Sequence, residues 1–446
     1  MSQNYRLDNN GLINRDKKIS FKFNGKNYFG YEGDTLASAL IANGIHLVGR
    51  SFKYHRPRGF FGAGVDEPYA MVQLIRNNES IPNVRATEQE LFEGLEAKSV
   101  NCWPNVNFDI GAINNFLNKF FPAGFYYKTF MWPRSFWYKV YEPIIRKTAG
   151  FGVVSTNHDQ ERYEHKYEYC DLLVAGSGPS GLASAYAAAQ NGARVILAED
   201  KPRFGGSLLT SEVSIGNQSG QEWVKNIISE LKSMPNVTVK NRSQVFGYYD
   251  HNMLVMSERI SDHLPKTKKY TPKQRLWYIR AKEALISSGS IERPLVFGNN
   301  DTPGVMLSSA AKEYLKIYGV LAGKKPLVFT NNDSGYETAI EFKKNGIDPV
   351  ILDTRKDPSS EIVNEAKSLN IDIKFSYVVV AAKGYKKVKS ADIAKISDDK
   401  KQLSQIENIN CDCICVSGFW TPTIHLASQS GNKTKFNEEI DAFIPG

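Results

Sequence analysis

The chain predicts an α/β protein with parallel sheets, led by a small α+β unit. Three observations carry that expectation. The apolar run Cys170–Ala175 leads into glycines at 176, 178 and 181 and then an alanine-rich stretch. A second strand–turn–helix–strand pattern runs from Pro326 to about Asp353. Near the start, Asn24-Gly25 is a hairpin signal between two alternating apolar segments.

In the leading unit, Ile19–Phe23 alternates apolar and polar residues, as a half-buried strand does. Tyr28–Tyr31 reads as its return strand. Leu36–Ala42 is a short helix with Asp34 or Thr35 as N-cap, ended by Asn43-Gly44. Tyr69–Ile75 is a further strand. From about 103 to 145, Phe116, Phe120, Phe121, Phe125, Tyr126, Tyr127, Phe130, Trp132, Phe136, Trp137, Tyr138 and Tyr141 crowd together, interrupted by Lys, Arg and Pro. No clean helical apolar face appears there, so an irregular connector is expected rather than an interfacial membrane segment.

Cys170–Ala175 suits a central parallel strand, and Leu182–Gln190 is rich in strong helix formers. Ala193–Ala198 is the next strand, with Glu199 at its end. This is the Rossmann fingerprint in full context. Gly176 permits a tight turn, Gly178 lets the backbone approach a pyrophosphate, and Gly181 allows the helix to lie close on the strand. Ser177, Pro179 and Ser180 complete the turn, and the helix N-terminus offers N–H groups to phosphate. Glu199, followed by Asp200, is placed to accept hydrogen bonds from ribose and disfavours a 2′-phosphate, so NAD or FAD fits better than NADP. The turn itself does not separate those two. Gly205-Gly206 is a second close-approach site, and Ser287-Ser-Gly289 lies where this fold class often places Ala-Thr-Gly beside the cofactor.

In the second pattern, Leu327–Phe329 and Pro349–Leu352 read as strands around the helix Glu337–Lys344. Thr330–Gly335 stands where the glycines would be, and Asp333 would repel phosphate, so this half is expected to bind no dinucleotide of its own. Tyr377–Ala382 is a buried strand, Lys386 to about Asn408 an exposed hairpin or loop, and Cys411–Val416 the last strand.

The net charge is +9 with a pI near 9.0, spread without a long block. A concentrated patch is the footprint of nucleic-acid binding, so phosphate-bearing cofactors or an acidic partner are expected instead of nucleic acid. The densest run is Arg50, Lys53, His55, Arg56 and Arg58. Five scattered cysteines argue against a disulfide framework. The start MSQNYRLDNNGL has no apolar signal core, and no run is long enough to span a bilayer, so a reducing, cytoplasmic setting is expected. Cys411, Cys413 and Cys415 fall on one strand face but lack the usual spacing of a zinc site, so no metal is expected. No general acid, base or nucleophile stands out.

The architecture is similar to the two-dinucleotide-domain, disulfide-reductase-like flavoproteins. Gly49-Arg-Ser-Phe-Lys-Tyr-His-Arg-Pro-Arg-Gly59, Ile291–Met306 and Phe329–Tyr336 narrow this. These long strings resemble the alpha subunit of heterotetrameric sarcosine oxidase, and the resemblance extends over nearly the whole chain. It implies that residues 1–102 form a ferredoxin-like β-grasp domain and 103–165 a connector. Residues 166–300 and 410–446 would form the dinucleotide-binding domain, and 301–409 a second Rossmann-like domain. It implies NAD on this chain, with FAD as the alternative, at Gly176, Ser177, Gly178, Pro179, Ser180, Gly181, Glu199, Asp200, Gly206 and Gly289. It also implies beta, gamma and delta partner subunits, with FAD and FMN in or with the partner, where sarcosine is oxidised to glycine. Because residues 1–101 contain no cysteine, no iron–sulfur cluster is expected. The chain ends at Gly446, before the family's aminomethyltransferase-like domain, so the tetrahydrofolate site is expected to be absent by truncation. A related opine or amino-acid dehydrogenase subunit and a non-catalytic partner-binding fragment are the competing readings.

Overall fold

Asn24 and Gly25 both take left-handed backbone angles, with φ of 51° and 76°. They turn the strand Asn14–Phe23 back onto Lys26–Glu32 in an antiparallel pair. Ile19, Phe21 and Phe23 point from one face into the core. The helix Leu36–Ala42 is buried along its length and starts at Thr35, whose side chain and that of Ser38 form a reciprocal capping box. A five-stranded sheet follows in the order Lys26–Glu32, Asn14–Phe23, Leu95–Ser99, Met71–Arg76, Glu79–Arg85. The parallel pairing of Asn14–Phe23 with Leu95–Ser99 closes it as a β-grasp. Before Met71, the chain wraps around the buried Glu67 carboxylate. That group accepts backbone N–H bonds from Phe61, Gly62, Tyr69 and Ala70 at 2.6–3.0 Å.

This computed structural model describes residues 3–76, 79–120, 124, 130–150, 152–265 and 270–446. Phe121, Phe125, Tyr126 and Tyr127 of the expected connector lie outside the described residues. The chain divides into two compact units, 1–159 with 294–418, and 160–293 with 419–446. The β-grasp, the connector up to 159 and the second Rossmann-like region share one unit. The segment around Cys413–Ser417 also joins that unit, because the strand pairs with Pro326–Thr330.

In that first unit a parallel sheet runs Val305–Leu307, Cys413–Ser417, Pro326–Thr330, Val350–Asp353, Asp372–Phe375. Ser308–Tyr318, Ser334–Lys344 and Glu361–Ser368 are its helices. The polar stretch after Lys386 is not simply exposed. Its strand Val388–Lys395 buries Val388, Ala391, Ile393 and Ala394 between Tyr377–Gly384 and Glu407–Asn410. Surrounding lysines mask that apolar pattern in the sequence. Cys411, Cys413 and Cys415 are all buried.

The basic run 50–58 is largely consumed inside this unit. Arg50 is buried and donates twice to the Val106 carbonyl, at 3.0 and 2.8 Å. Arg56 pairs with Asp301 at 2.6 Å, and Arg58 pairs with the same carboxylate.

In the second unit, six strands lie in the order Val237–Lys240, Val195–Ala198, Tyr163–Ala175, Gln274–Ile286, Met253–Arg259, Ser243–Tyr249. The first four are parallel, and the last two complete an antiparallel meander. The helices Pro179–Gln190 and Gly220–Ser233 cover one face, burying Leu182, Ala185, Val224, Ile227 and Leu231 against Val174 and Leu197.

Arg6 is almost wholly buried in the first unit. It meets the fully buried Asp34 at 2.7 Å and donates to the Tyr318 carbonyl at 2.8 Å. Removing one member of a buried pair strands the other in a low-dielectric interior. Arg6→Ala is expected to cost about 3–5 kcal/mol, and Arg6→Ala with Asp34→Asn to recover part of it. Urea unfolding checks this; a single variant with the wild-type midpoint would show the pair to be dispensable.

Candidate dinucleotide-binding site

The turn sits where the central strand Tyr163–Ala175 meets the helix Pro179–Gln190. The helix begins three residues earlier than its alanine-rich stretch, because Pro179 occupies its first turn and presets φ. Gly176 has φ of 107°. A Cβ on it would lie 2.3 Å from the Ser287 carbonyl oxygen, and one on Gly181 would lie 2.0 Å from the Gly176 carbonyl oxygen. Neither contact is tolerable, so glycine is required at both. Gly178 differs: a Cβ there would meet nothing within 4 Å. Its backbone is open to approach, and no side chain caps the helix that follows. Pro179 and Ser180 are exposed beside it. An uncapped helix N-terminus over an open glycine is the donor chemistry that a diphosphate uses.

Ser177 is fully buried and ties three segments together. Its N–H and Oγ donate to Glu199 Oε2 at 3.0 and 2.5 Å, and its Oγ and carbonyl both accept from the Gly205 N–H at 3.1 Å. Glu199 Oε1 accepts from the Lys201 N–H at 3.0 Å. Gly206, with φ of 52°, packs directly on Gly178: a Cβ there would stand 3.0 Å from the Gly178 Cα. Asp200 is half-buried next to Glu199. Gly289, with φ of 67°, accepts from the Thr423 N–H at 2.9 Å, and Ser288 Oγ donates to the Thr423 carbonyl at 2.9 Å. All ten residues singled out in the sequence thus fall in one unit. In the sequence Ser287 stands out only as the start of the Ser287-Ser-Gly289 turn, and Thr423 not at all. Ser287 acts through its carbonyl, which residue type does not report, and Thr423 is brought in from far along the chain.

The second turn is built from side chains. Asn332 donates to the Ser417 carbonyl at 3.2 Å and accepts from the Ser334 N–H at 2.9 Å. Arg355 bridges Asp333 at 2.7 Å and the buried Asp353 at 2.8 Å, and Tyr336 donates to Asp353 at 2.7 Å. A carboxylate–guanidinium cluster therefore stands at this turn in place of an open backbone. Among the described residues, no group of three or more His, Cys, Asp or Glu is placed to hold a metal ion. Nor is any helix among them long and apolar enough to cross a membrane.

Burial, then the adjacent Asp200, push the Glu199 carboxyl up to about 7 from its usual 4.5, against the lowering effect of its Ser177 and Lys201 bonds. Between those values the folded chain holds a proton that the unfolded chain has released. Stability from this group therefore falls as pH rises across the window and is lowest above it. Glu199→Gln keeps an acceptor for Ser177 and removes the charge. It is expected to raise the melting temperature of the cofactor-free protein at pH 8 by a few degrees, at about 2–4 °C per kcal/mol, and to leave it nearly unchanged at pH 5. Thermal melts at both values check the sign; an equal shift at both would discard it.

Two families match parts of the chain. Residues 16–102 match a family described as a 2Fe-2S iron–sulfur cluster binding domain, and residues 171–255 match the FAD dependent oxidoreductase family. These findings correct the cofactor expectations. The dinucleotide family is an FAD one, so NAD as the principal ligand is overturned. A glycine turn followed by an acid is a feature that NAD and FAD folds share, so it does not tell the two apart. The expectation of no iron–sulfur cluster is overturned as well: it rested on counting cysteines, whereas the match is to the domain as a whole. Such clusters take several thiolates. The matched span contains one cysteine, Cys102, whose thiol burial pushes up to about 11. That donor set does not fit a cluster, and no redox step is assigned to one.

Among solved structures, L-proline dehydrogenase from P. horikoshii shares the fold, with a TM-score of 0.62 at 18% identity, over 100% of this chain and 67% of that one. The sarcosine oxidase subunit alpha of Rhizobium meliloti (strain 1021) is 45% identical over 99% of this chain and 44% of its own length. That of Corynebacterium sp. (strain U-96) is 30% identical over 97% of this chain and 40% of its own length. Along 99% of its residues the chain is a sequence relative of the sarcosine oxidase alpha subunit, and it spans less than half of that subunit's length.

Proposed function

We propose that this chain is an FAD-binding subunit of a sarcosine-oxidising flavoenzyme assembly, working with beta-, gamma- and delta-type partner subunits. The observation that carries the reading is the open backbone over Gly178 at an uncapped helix N-terminus, inside the segment that matches the FAD dependent oxidoreductase family. Similarity to the sarcosine oxidase alpha subunits over 97–99% of this chain supports the substrate class.

When bound, FAD would supply two-electron chemistry of the kind that oxidises an amine at the carbon next to nitrogen. The chain's own residues have binding work to do. The N–H groups at the start of Pro179–Gln190 face the diphosphate, with the helix dipole favouring its charge. Gly206 holds the loop against Gly178 and so sets the width of the approach. Glu199, with Asp200 beside it, is assigned to the ribose. Ser177 fixes the Glu199 carboxylate in that direction. Gly289 lies on the turn whose Ser287 carbonyl backs Gly176.

A bulky residue at 178 tests this without disturbing the packed glycines. Gly178→Val meets no neighbouring atom at Cβ, so the fold is expected to survive, while FAD retention falls at least about tenfold, the equivalent of 1.4 kcal/mol. Extracted flavin per chain, measured by chromatography, is the readout. Wild-type flavin content in Gly178→Val, or no flavin bound by the wild type, would refute the site. Sarcosine-dependent peroxide formation by the reconstituted assembly tests the substrate separately.

A further inference from the structure

The stretch 103–150 carries fourteen aromatic residues and six Lys or Arg against two acids. Several of its largest side chains stand in solvent: Trp103 is 67% exposed, Phe116 85%, Trp132 84% and Tyr138 83%. Scattered exposed apolar residues are ordinary, but a concentration of this kind marks an interaction site. The backbone that presents them is anchored. Tyr141 donates to the Trp132 carbonyl at 2.9 Å, and the rings of Phe130 and Phe136 pack on Tyr141. At the end of the helix Glu142–Ala149, the Gly150 carbonyl accepts from the Asn101 N–H at 3.0 Å.

Charge narrows the occupant. Both acids are engaged within the chain: Asp109 meets His55 at 2.7 Å and Glu142 meets Arg146 at 2.8 Å. Lys119, Arg134, Lys139 and Lys147 remain as a cationic surplus among the aromatics. Trp, Tyr, Phe, Met and Arg, with few acids, is also the composition of protein–protein interface centres. A membrane surface favours one continuous amphipathic helix. Here no single helix among the described residues carries the aromatics: the α- and π-helical segments are Ile113–Phe116, Trp137–Tyr141 and Glu142–Ala149, and Trp103, Phe108 and Trp132 stand outside them on bends.

We propose that the described residues of 103–120 and 130–147 carry a docking face for a partner subunit whose contact surface is acidic around an apolar centre. The proposal rests on the reading of this chain as one subunit of an assembly, and names the surface it would use.

The test compares assembly of the full chain with co-expressed beta-, gamma- and delta-type subunits, read by sedimentation of the purified complex. Trp132→Ser with Tyr138→Ser is expected to weaken assembly by about 30-fold or more, the scale of an interface hot spot. Arg134→Glu with Lys139→Glu is expected to weaken it about tenfold and to flatten its salt dependence. Because these side chains are exposed, melting temperature and bound flavin should stay at wild-type values, which separates lost docking from lost folding. Wild-type assembly that both double variants reproduce overturns the docking face and leaves the subunit reading intact. Failure of the wild type to assemble overturns both. Binding to phosphatidylserine vesicles, or self-association of the chain alone, that disappears in Trp132→Ser/Tyr138→Ser while subunit assembly persists, also overturns the proposal.

Discussion

A stack of backbone atoms too close to admit any Cβ fixes the second unit. The Ser287 carbonyl backs Gly176, and the Gly176 carbonyl backs Gly181. Through these contacts two parallel strands and one helix share a single register. Side chains elsewhere can rotate to relieve a small error, but this stack has no such freedom. The direction of the helix, and so of its N-terminal donors, is dictated by the sheet. Preorganisation of that kind lowers the cost of ordering a phosphate site on binding.

Ser177 extends the constraint sideways. Its hydroxyl and backbone reach both Glu199 and Gly205, so the carboxylate and the 205–206 loop are positioned by the same residue. The acid is consequently buried beside Asp200, with its proton held to about 7. A buried carboxylate that is uncomfortable when charged gains from any additional donor. Ribose hydroxyls are such donors, so under the proposed FAD-binding role the stability forgone in the cofactor-free protein would be recovered on binding. The same topology gives the opposite result in the first unit. There side chains fill the equivalent turn: Asn332 reaches the Ser417 carbonyl, and Arg355 bridges Asp333 and Asp353. Two similar strand–turn–helix elements are thus separated by whether backbone or side chain occupies the crossing point.

That contrast was legible in the sequence, because glycine spacing and the presence of Asp333 report directly on backbone access. The hairpin at Asn24-Gly25 and the helix Leu36–Ala42 were legible for the same local reason. What was not legible depends on distant partners. Cys413–Ser417 follows the second Rossmann-like region in sequence, and only its pairing with Pro326–Thr330 shows which sheet it completes. Val388–Lys395 has its alternation masked by lysine. Thr423 reaches Gly289 and Ser288 across a long stretch of chain. The choice between dinucleotides was out of reach, since a glycine turn with its acid is common to NAD and FAD folds.

Charge illustrates the same limit at the scale of the molecule. A net charge of +9 says nothing of where the charge acts. The densest cationic run, 50–58, commits Arg50 to a carbonyl and Arg56 and Arg58 to Asp301, so these guanidinium groups are held by partners inside the fold. The sparser cations of 103–150 have almost no acids beside them, and those two are already paired. They stand next to exposed rings, where desolvation by a partner would strengthen each interaction. The outward electrostatic character of this chain is therefore set less by where Lys and Arg are most frequent than by where Asp and Glu are missing.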